Sequence, residues 1–183
     1  MIDIETVRLI LRLVPLAGLA ATEAGDRAAG RRIIGNDLPE AWFEDSWVAG
    51  LRLKQWTENA SYRPWSMRAI GLRSTGQIIG NMNCHHEPMP FVLGGETTIA
   101  VELGYTIFEP WRRQGYASEA IRGFCLWASS LSVRSLILSI SPDNSASLGL
   151  AAKFAAVKIG SQIDEIDGPE DIYFARISEM NGG

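Results

Sequence analysis

Little cysteine, little histidine and no excess of basic residues are found in this chain, and each shortage closes off a class of function. Cys84 and Cys125 are the only cysteines in 183 residues. Two are too few for a disulfide framework, and without a CxxC pair neither zinc binding nor dithiol redox chemistry has its ligands. A reducing compartment is the expectation. The only two histidines are adjacent, at His85 and His86. In Cys84-His85-His86-Glu87, neighbouring strand residues point to opposite faces, so the two rings cannot readily share one ion and no metal site is expected. Lys plus Arg number 17 against 21 Asp plus Glu, a formal net charge of -4. Neutralising phosphates needs a basic face, so no nucleic-acid partner is expected and any basic patch must be local. No apolar run approaches the ~20 residues that span a bilayer, and Met1-Ile2-Asp3-Ile4-Glu5 is acidic where a signal peptide would be basic. These features predict a cytoplasmic protein with no membrane partner.

What is present reads as one domain, residues 1–183, with 46% hydrophobic and 21% charged residues. Val7 to Leu13 predicts a first strand, with Arg8 and Arg12 facing away from Leu9, Leu11 and Leu13. Pro15 to Ala29 predicts one helix and Leu38 to Trp56 a second, with Trp42, Trp47, Leu51 and Trp56 at helical spacing. The set Trp42, Trp47, Trp56 and Trp65 reads as core or cleft lining. Trp65 to Arg73 and Gln77 to Cys84, joined by Ser74-Thr75-Gly76, read as a hairpin, and Pro88 to Gly95 as a loop. Thr97 to Phe108 is a strand stopped by Glu109-Pro110, Ala117 to Leu131 a helix, and Val133 to Ile140 a buried strand. Asn144 to Ala156 is a helix that Asp143 or Asn144 can cap, and Val157 to Ile163 and Ile172 to Ile177 are two last strands around an acidic Gly-Pro turn. The order predicts an α+β or α/β domain around one mixed sheet.

Arg112-Arg113-Gln114-Gly115-Tyr116-Ala117-Ser118 lies between a strand and a helix. Small residues let the backbone approach a ligand, the first-turn amides lack internal partners, and the helix dipole adds positive potential, so the segment suits an anion. A plain turn explains a single glycine equally well. The segment is neither a P-loop nor a dinucleotide fingerprint, since it lacks GxxxxGK[ST] and has one glycine.

The surrounding residues carry a resemblance. Glu102-Leu103-Gly104-Tyr105-Thr106-Ile107, then Glu109-Pro110-Trp111, then Arg112-x-x-Gly115-x-Ala117 and Ser118-Glu119-Ala120 resemble the acetyl-CoA signature of the GNAT superfamily of N-acetyltransferases. Within it, the branch that acetylates ribosomal-protein N-termini (alanine or serine) is the most similar. Glu5-Thr6-x-Arg8-Leu9-x-Leu11-Arg12 resembles that branch's opening strand, and Asn144-x-x-Ser147 followed by Lys153 resembles its later CoA-contacting helix. Two departures stand out. The family follows its Lys with a variable residue, Gly and Phe, whereas Phe154-Ala155-Ala156-Val157 follows Lys153 here. Many members also carry a thiolate-protonating Tyr where this chain has Ala151.

The resemblance implies an α+β, mixed α/β fold: a mostly antiparallel six- to seven-stranded mixed sheet flanked by about four helices and splayed at the acetyl-CoA site. It implies acetyl transfer from acetyl-CoA to a primary amine by direct attack in a ternary complex, with no metal and no cysteine nucleophile. Pantetheine would lie along Val101 to Ile107, contacting Leu103, Gly104, Tyr105 and Thr106, and Gly104 would mark a bulge that frees an amide near Tyr105 for the thioester oxygen. Pyrophosphate would sit on Arg112, Arg113, Gln114, Gly115, Tyr116, Ala117 and Ser118. Asn144, Ser147 and Lys153 would complete the cofactor contacts, with Ser147 also assisting at the thiol. Asn and Ser cap helices routinely at such positions, and the plainer reading of Tyr105, a sheet aromatic, is the one favoured. Glu102, in an apolar strand where desolvation raises a carboxyl pKa, is the candidate base; a partly exposed strand Glu is its plainer reading. Partners are acetyl-CoA and an amine: a peptide N-terminus, a polyamine or an aminoglycoside. The chain is expected as monomer or homodimer. The rival function is a non-catalytic acyl-CoA-binding or sensing module. Asp164, Glu165, Asp167, Glu170 and Asp171, with Glu40, Glu44 and Asp45, favour a neutral or cationic acceptor if they steer, and are solvated charge if they do not.

Overall fold

The computed structural model describes residues 3–35, 38–166 and 168–180, which fall into two compact units. One draws on residues 1–87 and 105–123, the other on 88–104 and 124–183.

In the first unit, β1 (Ile4–Glu5), β2 (Leu9–Leu13), β3 (Arg68–Leu72) and β4 (Ile78–Cys84) pair antiparallel in that order. Leu9, Leu11 and Leu13 of β2 are buried and Arg12 is exposed, as the alternation predicts. The β3–β4 hairpin forms across the expected turn, where Gly76 takes a positive φ of 78°. Gly80 in β4 is required by a close approach: a Cβ there would meet the Thr106 carbonyl oxygen at 2.1 Å.

The helices of this unit depart from expectation. Pro15 to Ala29 is not one helix but two, α1 (Leu16–Glu23) and α2 (Arg27–Ile33). Gly25 turns the chain at φ +66°, and the Asp26 carboxylate then accepts from the Ala29 amide and starts α2 afresh. Leu38 to Trp56 likewise divides into a 3-10 turn, Glu40–Phe43, and α3 (Ser46–Glu58). The break separates the tryptophans. Trp42 is 3% exposed and donates its indole N–H to the Thr22 hydroxyl at 2.8 Å, whereas Trp47 is 44% exposed on α3. Val14, Leu19, Ile34, Trp42, Phe43, Met67, Ala69, Ile78 and Phe108 form one apolar cluster. Each fully buried Val, Leu, Ile, Phe or Met side chain among them stabilises the fold by about 1.5–3 kcal/mol.

The second unit holds β5 (Met89–Leu93), β6 (Glu96–Ile107, of which Tyr105 onward belongs to the first unit), β7 (Ser135–Ile140), β8 (Val157–Asp164) and β9 (Gly168–Arg176). Their order is β5-β6-β7-β9-β8. The β6–β7 pair is parallel and the others are antiparallel. The loop expected over Pro88 to Gly95 is instead strand β5 with a two-residue turn closing the Leu93↔Glu96 pair. Gly94 and Gly95 both have positive φ, 59° and 84°, as a type I′ turn demands. β7 is buried along nearly its whole length, as expected for Val133 to Ile140.

Helix α4 (Tyr116–Ser130) begins in the first unit and ends in the second, and α5 (Ser145–Lys153) lies in the second. Ala120, Ile121, Phe124, Cys125 and Ala128 are buried on α4, the face its spacing predicts. The fold is therefore the mixed, mostly antiparallel α/β arrangement expected. It carries nine strands and five α-helices among the described residues, because β1 and β5 add two short strands and the first predicted helix is split.

Candidate active site

The second unit places Glu102 where two strands part. The parallel ladder runs Ala100↔Ser135, Val101↔Leu136, Glu102↔Ile137 and ends there. Yet β7 continues to Ile140, still paired with β9 at Ile140↔Asp171, and β6 continues through Leu103 and Gly104. Beyond Glu102 the facing edges of β6 and β7 are not joined to each other, the arrangement in which an extended ligand can take a strand's hydrogen-bonding positions. The parting follows from the ladder's end two residues before Gly104. Across this point the Ser139 hydroxyl donates to Glu102 Oε1 at 2.6 Å, a length typical of an O–H bond to a carboxylate. Glu102 is half-buried, and Leu103 is a core side chain, 3% exposed. Thus Leu103 offers a ligand only its backbone.

In the first unit, the segment from Arg112 to Ser118 is a shaped loop rather than a plain turn. Arg113 has φ +59° and Gly115 φ +81°, and α4 opens at Tyr116. Two left-handed residues just before a helix turn successive amides toward one side, a concavity for an anion next to the helix's own first-turn amides. A left-handed Arg costs about 1–2 kcal/mol, so its surroundings must hold it. They do: Arg112 Nε donates to the Ile107 carbonyl at 2.9 Å, Gln114 Nε2 to the Pro110 carbonyl at 3.2 Å, and Arg8 Nη1 to the Gln114 carbonyl at 3.0 Å. A Cβ on Gly115 would stand 3.4 Å from Arg8 Nη2.

Sequence reasoning missed the latch behind this loop. Glu119 Oε1 accepts from the Thr6 hydroxyl at 2.6 Å and the Arg8 amide at 2.7 Å, and Glu119 Oε2 accepts from Arg8 Nε at 2.6 Å. Arg8 also lies over the Tyr116 ring, 4.4 Å from its centroid. Burial pushes the Glu119 carboxyl pKa up, but the Thr6 and Arg8 hydrogen bonds and the Arg8 charge outweigh it and hold the value below the ordinary Glu range. Thr6, Arg8 and Glu119 stood in the motifs quoted above, but no local spacing pairs residues 113 apart.

Of the remaining predicted residues, Tyr105 and Thr106 lie half-buried in the first unit. Ala117 and Ser118 occupy the first turn of α4, half-buried. Asn144, not Asp143, caps α5, its Oδ1 accepting from the Ser147 amide at 3.0 Å. The cap uses the carbonyl oxygen, so a hydrogen bond from Asn144 to a ligand would come from its NH2. Ser147 is half-buried and Lys153 is exposed in the last turn, where its charge suits the helix dipole. Ala151 is 1% exposed and supplies no hydroxyl. Burial pushes the Cys125 thiol up to about 12, so it is not a nucleophile at neutral pH. Among the described residues no cluster of three or more metal-ligating side chains occurs, and no helix is long and apolar enough to cross a membrane. The acidic segments carry less free charge than their sequence suggests. Asp171 pairs with Lys158 at 2.7 Å, and Glu40 with both Arg27 and Arg31, while Asp167 lies outside the described residues. A cavity of about 640 Å³ in the second unit, lined by Glu96, Thr98, Arg134, Phe174 and Arg176, contains none of the predicted site residues.

The second unit thus offers a parted parallel strand pair, and the first a loop pinned before a helix start. Comparison with known proteins gives the family. The family model "Acetyltransferase (GNAT) domain" matches residues 8–157, and the chain belongs to that family. An acetyltransferase from Agrobacterium tumefaciens is 26% identical over 95% of this chain and 94% of that one, with a TM-score of 0.60. A ribosomal-protein-S5-alanine acetyltransferase from Vibrio fischeri is 16% identical, covering 96% of this chain and 97% of that one, with a TM-score of 0.63. A nucleotide-linked sugar GNAT shares the fold at 12% identity, covering 98% of this chain and 92% of that one, with a TM-score of 0.64.

Proposed function

We propose that this chain acts as one N-acetyltransferase domain that moves acetyl from acetyl-CoA to a primary amine by direct attack in a ternary complex. The observation that carries the reading is the end of the β6–β7 ladder at Glu102↔Ile137 with both strands continuing. Backbone groups from Leu103 onward would hydrogen-bond pantetheine as an added strand would. The amides from Arg113 to Ser118 would hold the pyrophosphate, with no metal required. Glu102 would take the proton from the attacking amine, and Ser147 would hydrogen-bond the departing thiolate or a water beside it. Lys153 and the Asn144 NH2 would add contacts to the cofactor.

The acceptor is a peptide N-terminus or a small-molecule amine. An α-amine, with a pKa of about 8, is more often neutral at pH 7 than a Lys amine near 10.4, so the base has less to do on an N-terminus. The buried Ala151, with no tyrosine acid, and the altered turn at Ala155 favour a non-catalytic acyl-CoA-binding module instead. The decisive measurement is thiol release from acetyl-CoA across peptides, polyamines and aminoglycosides, with wild type and Glu102→Gln. We expect release with at least one amine, and a loss of roughly 10² or more in turnover for Glu102→Gln at nearly unchanged CoA affinity. CoA binding without release for any amine would favour the module.

A further inference from the structure

We infer that Ser139 is a positioning residue for the reaction: its hydroxyl holds the Glu102 carboxylate at the place where β6 and β7 part. This rests on the reading of Glu102 as the base. Two hydroxyl contacts join β6 to β7 on one face. Thr98 and Ser135 meet at 3.0 Å alongside the ladder, and Ser135 is fully buried. Ser139 reaches Glu102 at 2.6 Å beyond its end. The first contact supplements strand pairing. The second runs from the ladder's last residue to one two positions past its partner, where β7 no longer pairs with β6, so what it fixes is the carboxylate itself.

Ile137, which faces Glu102 in the register, has an apolar side chain, and on β9 the residues facing Ile137 and Ser139 are Phe174 and Ile172. A glutamate side chain has three rotatable torsions, and ordering it before reaction removes an entropic cost from the proton transfer.

A donated hydrogen bond favours the charged carboxylate. Removing it raises the Glu102 pKa, so the acid limb of kcat/KM moves to higher pH. The other titratable groups on its own strand and on the neighbouring elements are Glu96 and Tyr105 of β6, Glu170, Asp171, Tyr173 and Arg176 of β9, Lys158 and Asp164 of β8 and Lys153 of α5, with none on β5 or β7. Asp171 is bonded to Lys158 and Ser161, and Glu170 to Gln162. Substituting Ser139 alters none of these contacts, so they locate the limb without moving it.

The test compares Ser139→Ala, Ser139→Thr and Glu102→Gln in pH profiles of acetyl transfer to the best acceptor found. Ser139→Ala should lower kcat about 10-fold, leave KM for acetyl-CoA within about two-fold, and shift the acid limb upward by about 0.5–1 pH unit. Ser139→Thr should restore both. A partly unfolded variant would scale the rate equally at every pH, so the limb separates positioning from folding. An unmoved limb and wild-type kcat in Ser139→Ala, with Glu102→Gln inactive, would overturn the role of Ser139 alone. Full activity in Glu102→Gln would overturn the base itself, and this inference with it.

Discussion

Ala155→Gly should stabilise the protein. Ala155 has φ +52°, in the left-handed region that L-residues other than Gly avoid. It stands just past α5, where the Ala155 amide donates to the Ala152 carbonyl at 3.1 Å and the Ala156 amide to the Ala151 carbonyl at 3.0 Å. Those two bonds make a Schellman turn with Ala155 in the position that usually belongs to glycine. The left-handed geometry costs alanine about 1–2 kcal/mol, and glycine in the unfolded chain gives back about 0.4–1 through its greater freedom. Ala155 is exposed, so deleting its methyl forfeits little packing. The net expectation is a gain of about 0.5–1 kcal/mol, or ~1–4 °C in Tm for a chain of this size. Ala152→Gly is the control, because Ala152 is also exposed but lies inside α5 with right-handed geometry. It should lose about 0.5–1 kcal/mol. Urea melts of the two variants should therefore shift in opposite directions at equal m. A destabilised Ala155→Gly, or two shifts of one sign, would refute the left-handed turn.

Gly115→Asp should weaken CoA binding at least ~10-fold by calorimetry, since a side chain is strained at φ +81° and a carboxylate repels phosphate. Equal affinity would remove the pyrophosphate from this loop. Glu119→Gln should raise KM for acetyl-CoA several-fold with kcat little changed, because it loosens the Arg8 contact to Gln114. It should also cost about 1 kcal/mol of stability, less than a buried charged hydrogen bond because Arg8 is 44% exposed. The lowered Glu119 pKa sets the sign with pH: its stabilisation is present above the ordinary Glu value of 4.5 and is lost as pH falls through the lower folded value. Denaturant melts of wild type and variant should therefore differ at pH 7 and converge in acid; a constant gap would show that the carboxylate carries no such linkage.

The sequence by itself determined whatever rests on neighbours along the chain. Period-two burial in Leu9 to Leu13 and period-3.6 burial in α4 are local patterns, and the folded chain follows both. The loop-to-helix step at Gly115 and the cap at Asn144 are equally local, since one residue's φ or one side chain's reach decides them. The Gly94-Gly95 turn and the Gly25-Asp26 break were also legible, because positive φ and an Asp cap are short-range signals, although periodicity alone passes over both. Tertiary structure alone decided which distant groups meet. Glu119 finding Thr6 and Arg8, and Ser139 finding Glu102, depend on strand order and ladder length. The parting of β6 from β7 is likewise invisible in either strand, for each reads as a strand whether or not its neighbour stays paired. Hydrogen bonds between strands are fixed by register across the sheet, and no residue carries that register in its own side chain.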